Sequence, residues 1–146
     1  MLRSYKLILV LIFLLIGVSP ESGETLPASQ QSKDQIRQIF SKVEEGISAG
    51  QPGRFSYALG SQTYISLSTG SSGYYSSGQA FYILQDYFSI CRPLGFRFNM
   101  IDDKTDNPYA SGTYRYESRG TTGTSQIFVT LKQFGNSWKI SQITIN

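Results

Sequence analysis

The sequence predicts an α+β two-layer domain in which helices pack on one side of a strongly curved antiparallel sheet. Two amphipathic helical segments lie in the first two thirds of the chain, and four strand-like runs then follow one another to the C-terminus. The chain has 146 residues, one cysteine and no histidine, so hydrophobic packing must hold the fold without disulfides or an ordinary zinc site. These observations predict a single domain over residues 32–146.

The N-terminal segment is typical of a signal peptide. Arg3 and Lys6 precede an apolar run, residues 7–16, which is shorter than the roughly 20 residues that a membrane span needs. We expect residues 1–22 to direct export to the periplasm or the exterior, with the cleavage site left open and an uncleaved anchor as the alternative. Membrane contact is expected only through this segment. Residues 23–31 are rich in Ser, Gln and Pro and are predicted to be a flexible tether.

Ser32 is the predicted start of the first helix. Gln35 follows three residues later and would complete a capping box. Apolar side chains then recur at helical spacing, at Ile36, Ile39, Phe40, Val43 and Ile47. Gly50 is expected to end this helix. A strand is predicted over residues 63–68, and residues 69–73 are predicted to be a loop.

Ser76 and Gln79 form a second predicted capping box. The helix that follows is unusually aromatic, and its apolar positions are Ala80, Phe81, Leu84, Tyr87, Phe88 and Cys91. Pro93 is expected to stop it, because proline lacks the N–H that an interior helical turn requires.

Beyond Pro93 the apolar period changes from helical to two, which predicts strands with one buried face. The alternating residues are Phe96, Phe98 and Met100, then Ala110, Gly112, Tyr114 and Tyr116, then Ile127, Val129 and Leu131, and finally Trp138 and Ile140. A turn is predicted at Gly135 and Asn136. The phase slips between Ile140 and Ile143, which predicts a β-bulge there.

A family resemblance follows from these residues. It is carried by Tyr75, Ser76, Gln79, Ala80, Ile83, Leu84, Asp86, Tyr87 and Phe88, then by Tyr109, Ala110, Gly112 and Tyr114, and by the closing Trp138, Lys139 and Ile140. The chain resembles the exported bacterial family catalogued as domain of unknown function 4783, within the nuclear transport factor 2-like (cystatin-like) superfamily. The resemblance covers nearly all of the chain after Lys33 and implies the cone-shaped fold. Its motifs are packing residues, so it transfers no active-site residue.

The chemistry-bearing residues are few and scattered. The absence of histidine excludes His-based acid–base catalysis and a Ser-His triad. We expect Asp86 to be a solvated helix position, Glu117 to pair with an arginine, and Asp102, Asp103 and Asp106 to belong to a turn. No catalytic residue, metal site or cofactor is assigned. The basic residues are isolated from one another, so nucleic acid is not an expected partner.

Ten tyrosines are the main compositional excess. They suit a pocket that combines apolar surface with hydroxyl groups, although β-sheet surfaces favour aromatic residues in any case. The candidate ligand-pocket residues are Phe98, Tyr114, Val129 and Leu131 on the sheet wall, with Tyr82 or Tyr64 near the rim. A small apolar or aromatic molecule is the expected ligand.

The sequence therefore predicts an exported, noncatalytic binding or interaction module. It would hold an apolar ligand in the cone, or its outer sheet face would pair with another copy or with an envelope partner. For a homodimer, the expected contact positions on that face are Arg115, Gln126, Phe128 and Thr130. The alternative is a small cofactor-free enzyme of isomerase or cyclase type that uses an acid and a tyrosine.

Overall fold

The computed structural model describes Gly23 and residues 25–146, so the predicted signal segment lies outside the described residues. The described part contains two helices and six strands: α1 (Ala28–Ala49), β1 (Leu59–Leu67), β2 (Ser72–Tyr75), α2 (Ser77–Ile90), β3 (Arg92–Asp102), β4 (Tyr109–Ser118), β5 (Thr121–Phe134) and β6 (Ser137–Ile145). Two short 3-10 turns, Pro52–Arg54 and Ser56–Ala58, connect α1 to β1. Within this part, neither helix has the length and apolar character needed to cross a membrane.

The strands form one sheet in the order β2-β1-β6-β5-β4-β3. Four neighbouring pairs are antiparallel, as predicted, but β1 and β6 run parallel. The predicted antiparallel sheet is therefore corrected to a mixed sheet. Two parallel strands need a long crossover connection, and here all the elements from β2 to β5 supply it.

Irregular pairing bends the sheet. The register of β3 against β4 shifts between Pro93 and Gly95 and again between Phe98 and Met100. In β6, Ser141 is an extra residue, because Thr130 pairs with Gln142 whereas the next residue of β5 pairs with Ile140. This confirms the bulge predicted before Ile143. Bulges increase the local twist, which curves the sheet around the helices.

The first helix starts earlier than the sequence predicts. It begins at Ala28, after Pro27, so the capping box at Ser32 is wrong and residues 28–31 of the predicted tether are helical. Ser32 instead accepts a hydrogen bond of 2.8 Å from the indole Nε1 of Trp138. Gln35 accepts one of 3.3 Å from the backbone N–H of Trp138. The two polar side chains therefore tie α1 to β6, more than a hundred residues away.

The second helix starts as predicted. The Ser76 hydroxyl accepts from the N–H of Gln79, whose side chain accepts from the N–H of Ser76, and this confirms the capping box. The helix ends at Ile90, and Pro93 already belongs to β3. The predicted end of α1 is also confirmed, because Gly50 has a φ of 65°, a left-handed conformation that glycine adopts readily.

The strand predictions hold with two changes. The four runs after α2 are confirmed as β3 to β6, with the turn at Gly135 and Asn136. β1 begins at Leu59, before the predicted residues 63–68, and β2 replaces part of the predicted loop 69–73. β2 is short and pairs only with β1, at the edge of the sheet.

One hydrophobic core lies between the helices and the inner face of the sheet. Its largest fully buried side chains are Phe40, Ile47, Phe55, Ile65, Leu84, Tyr87, Tyr114, Ile127, Leu131, Ile140, Ile143 and Ile145. They come from both helices, from the segment at Phe55 and from four strands, so the core joins elements that are far apart along the chain.

Candidate functional site

Tyr114 is the centre of an aromatic cluster inside the cone. Its ring lies 5.8 Å from the ring of Phe88 on α2 and 5.7 Å from that of Tyr116. Its hydroxyl donates a short hydrogen bond to the backbone oxygen of Cys91, where α2 ends. Cys91 is itself buried, and the bond fastens the end of the helix to β4.

Tyr87 joins this cluster from α2, with its ring 6.4 Å from that of Tyr114. Burial raises the pKa of Tyr87 to about 12, partly opposed by a 3.4 Å hydrogen bond with Ser68. Burial, together with the neighbouring Tyr87, also raises the pKa of Tyr114. Both phenols are therefore protonated at neutral pH, and the cluster offers hydroxyl donors, not bases.

The four predicted wall residues all face the helices. Phe98, Tyr114, Val129 and Leu131 are at most 9% exposed. The Phe98 ring packs edge-on against that of Phe40 at 5.7 Å. Four surface grooves are described for the molecule, and none of these four is lined by a wall residue.

The two predicted rim residues lie apart from the wall. Tyr64 is on the outer face of β1, because its neighbours Thr63 and Ile65 point into the core. Tyr82 is 64% exposed on α2. The strand alternation around Ile65 predicts the outer position of Tyr64, because successive side chains of a strand point to opposite faces.

Most acidic residues of the described chain lie at the surface or in ion pairs, whereas Glu44 accepts a hydrogen bond from the backbone N–H of Phe98. Asp86 is exposed, Asp103 pairs with Arg37 at 2.9 Å, and Glu117 pairs with Arg92 at 2.8 Å. The buried polar residues within the described chain are Thr63 and Ser125. In that same part, no three Cys, Asp or Glu side chains are grouped as a metal site would require.

The outer face of the sheet, which points away from the helices, has an apolar and hydroxyl-bearing centre. Cross-strand pairing aligns four side chains in what we call the central row: Met100, Ser111, Phe128 and Thr144. Met100 is 51% exposed and Phe128 is 42% exposed. Tyr109 lies beside the row, and its hydroxyl donates to the Met100 sulfur at 3.8 Å.

Charged side chains surround this centre. Arg97 and Asp102 are on β3 at the sheet edge, and Arg115 is exposed on β4. The predicted contact positions Gln126, Phe128 and Thr130 lie on this outer face, as does Arg115. The sequence did not identify Met100 as an outer residue, because the extra residue in β3 reverses its phase relative to Phe98.

A groove crosses the other end of the outer face, over β1, β2, β6 and the end of β5. It has a volume of about 660 Å³, and its lining includes Gln62, Tyr64, Tyr74, Lys132, Phe134 and Gln142. A second groove, of about 730 Å³, runs along the start of α1 beside Trp138. Neither groove was predicted from the sequence, because each needs strands or helices that are distant along the chain.

Comparison with known families gives one match. The sequence profile described as "Domain of unknown function (DUF4783)" matches residues 40–146. This range covers α2 and all six strands. No curated protein matches the chain.

Solved structures give the same fold. A DUF4783 family protein from Bacteroides ovatus is 21% identical, with a TM-score of 0.63 over 72% of this chain and 91% of that chain. One from Bacteroides fragilis is 22% identical, with a TM-score of 0.62 over 71% and 93%. A protein with a ketosteroid isomerase-like fold from Catenulispora acidiphila is 10% identical, with a TM-score of 0.60 over 75% and 84%. At these identities the likeness shows the fold alone, which is nuclear transport factor 2-like, and this confirms the predicted fold.

Proposed function

The chain belongs to the DUF4783 family, a domain of unknown function, and from this premise we propose that it is an exported interaction module that pairs with a second copy of itself through the outer face of its sheet. The observation that carries the proposal is the composition of that face. Exposed Met100, Tyr109 and Phe128 lie together among small hydroxyl residues, and the charges lie at the margin. Stable interfaces commonly have this apolar centre and polar rim.

Side chains fill the interior of the cone, and this favours an interaction at the surface rather than a ligand bound inside the cone. The predicted wall residues are packed against one another and against α1, and the Tyr114 hydroxyl already has the Cys91 carbonyl as its acceptor. An apolar ligand would have to displace side chains such as Phe98, whose ring lies 4.9 Å from that of Phe96. Protein cores pack too densely to admit a ligand without such movement.

The rim charges favour a second copy as the partner. Arg97 pairs with Thr113 on β4, and Asp102 pairs with Tyr109. Residues 109 and 113 each lie two positions from Ser111 in the central row, so Arg97 and Asp102 flank that row on opposite sides. A twofold axis along the central row would therefore set Arg97 of one copy against Asp102 of the other, twice per dimer.

Analytical ultracentrifugation of the purified protein and two variants tests the proposal. We expect the wild-type protein to sediment as a dimer. Phe128→Lys should sediment as a monomer, because it buries a charge at the centre of the interface. Ile90→Lys is the matched control: Ile90 is 52% exposed at the end of α2, outside the sheet, and this variant should remain dimeric. A monomeric wild-type protein, or equal effects of the two substitutions, would contradict the proposal.

Native mass spectrometry of the protein taken from its own cell envelope separates the proposal from the ligand-carrier alternative. Self-association predicts that the mass of the native dimer equals twice the mass of the denatured chain. A reproducible extra mass that disappears on denaturation would instead indicate a bound small molecule. The mass of the denatured chain also shows whether residues 1–22 have been removed. A chain that keeps these residues and is found in the cytoplasmic fraction would contradict export.

A further inference from the structure

The groove over β1, β2 and β6 presents aromatic rings to solvent. Tyr74 is 72% exposed and Phe134 is 47% exposed. Tyr64 pairs with Tyr74 across the strands, with their ring centres 5.2 Å apart, and its hydroxyl is held by Ser72 at 3.0 Å. Exposed rings that are fixed in this way form a preorganised apolar surface within an otherwise polar groove.

The other lining side chains are mostly neutral hydrogen-bonding groups. Gln62 and Gln142 contribute amides and Ser61 contributes a hydroxyl, and each of these groups can both donate and accept. The Ser141 hydroxyl donates to the carbonyl oxygen of Thr130 and so offers a ligand only an acceptor. A pyranose ring has the matching chemistry, because its C–H face packs on an aromatic ring while its hydroxyls bond to amides and hydroxyls. The groove, at about 660 Å³, has room for more than one sugar ring.

The positive charge of Lys132 indicates which class of ligand the groove would prefer. Lys132 extends into the groove with its ammonium nitrogen 6.0 Å from the centre of the Phe134 ring. None of the described residues that line the groove is acidic. The ammonium group therefore favours an anionic substituent beside the aromatic surface. We propose that this groove binds a short oligosaccharide that carries a carboxylate or a sulfate group.

The groove along α1 does not share these properties. It is also rich in amides, but its one aromatic residue, Trp138, is 8% exposed and its indole N–H already donates to Ser32. It also contains Asp34, which would repel an anionic sugar.

The groove over β1, β2 and β6 lies on the same face of the sheet as the proposed dimer interface, and Gln142 of the groove donates to Thr144 of the central row at 3.1 Å. Its charged and aromatic residues Lys132 and Phe134 lie four and six positions along β5 from Phe128.

Isothermal titration calorimetry with two acidic probes, trigalacturonate and a sulfated κ-carrageenan tetrasaccharide, tests this inference. The methyl-esterified and desulfated forms are the neutral counterparts. We expect at least one acidic probe to bind the wild-type protein more tightly than its neutral form. Tyr74→Ala should weaken that binding by about five- to tenfold, because it removes the exposed stacking surface. Lys132→Gln should remove the preference for the acidic form.

Tyr82→Ala is the matched control, since Tyr82 is also a mostly exposed tyrosine but lies on α2, and this variant should bind like the wild type. Lack of binding to both acidic probes would overturn the inference. It would also fail if Lys132→Gln abolished binding while Tyr74→Ala had no effect, because that result would indicate simple ionic attraction. The two proposals can fail separately. A variant that loses sugar binding but remains dimeric, or one that becomes monomeric but still binds sugar, distinguishes the groove from the proposed dimer interface.

Discussion

Two buried tyrosines make the protein less stable as the pH rises into the alkaline range. Burial raises the pKa of Tyr87 to about 12, and that of Tyr114 is raised as well. In the unfolded chain both phenols titrate near pH 10. Their contribution to stability is complete below pH 10, where both states are protonated. Above pH 10 the unfolded chain releases protons that the folded chain retains, so the free energy of unfolding falls as the pH rises toward 12.

Tyr87→Phe should make this fall less steep. We expect the loss of unfolding free energy between pH 10 and pH 12 to decrease by about 1 kcal/mol per pH unit, because one proton no longer distinguishes the two states. Urea unfolding at stepped pH values, followed by the fluorescence of Trp138, measures the slope. Tyr82→Phe is the control and should keep the wild-type slope, since Tyr82 is exposed on α2 and lies outside the buried cluster. Equal slopes for all three proteins would refute the prediction.

At the scale of single residues, alternation predicts the buried face of a strand where the strand is regular, and it fails at Met100, where the extra residue in β3 reverses the phase. Phe98, Tyr114 and Val129 face inward as their period predicts. Tyr64 was assigned to the pocket rim although its neighbour Ile65 already faced inward. Gly112 belongs to the motif that carries the family resemblance, and the structure gives its reason: a Cβ there would overlap the carbonyl oxygen of Arg97 on β3.

At the scale of elements, helix α1 protects the free edge of the sheet. β3 is an edge strand of the described sheet, so the backbone groups on its side away from β4 have no neighbouring strand to bond with. The N–H of Phe98 instead donates to the Glu44 carboxylate at 2.7 Å, and the Ser48 hydroxyl donates to the carbonyl oxygen of Phe96 at 2.9 Å. Unpaired edges invite pairing with other chains, so these two side chains limit uncontrolled association.

Glu44→Ala should therefore destabilise the protein by about 1–3 kcal/mol, because it leaves a half-buried N–H without an acceptor. Glu44→Gln keeps an acceptor and should recover most of the loss. The matched control is Glu45→Ala, whose carboxylate makes an exposed ion pair with Lys42 and whose loss should leave unfolding close to wild type. Chemical denaturation measures all three. If Glu44→Ala unfolds like Glu45→Ala, the proposed edge protection does not contribute to stability.

Local patterns predicted most elements but misjudged those that depend on distant partners. The box at Ser76 is real because its hydrogen bonds are local. The box at Ser32 was wrong because Ser32 and Gln35 bond to Trp138 instead, a contact that no local pattern records. β2 was missed for a similar reason: it has four residues, one of them Gly73, and exists only as a partner for β1.

At the scale of the whole molecule, the fold creates surfaces that the sequence does not display. The parallel pairing of β1 with β6 brings Tyr64 beside Gln142 and so assembles one end of the outer face. The register shift in β3 turns Met100 outward into the row that also contains Phe128, with Ser111 between them. Both patches arise from non-local pairing, which explains why the candidate site was only partly predictable.

The proposed twofold arrangement makes a prediction about charge that hydrophobic contact alone does not. If Arg97 faces Asp102 of the other copy, Asp102→Asn should weaken the dimer by about two- to fivefold in the wild-type background. In the Arg97→Glu background the same substitution should strengthen it, because it removes a repulsion between like charges. The asparagine oxygen can still accept the hydrogen bond from the N–H of Lys104, so the turn is preserved. Sedimentation equilibrium of the four proteins gives the dimer dissociation constants, and an effect of the same sign in both backgrounds would rule out this arrangement.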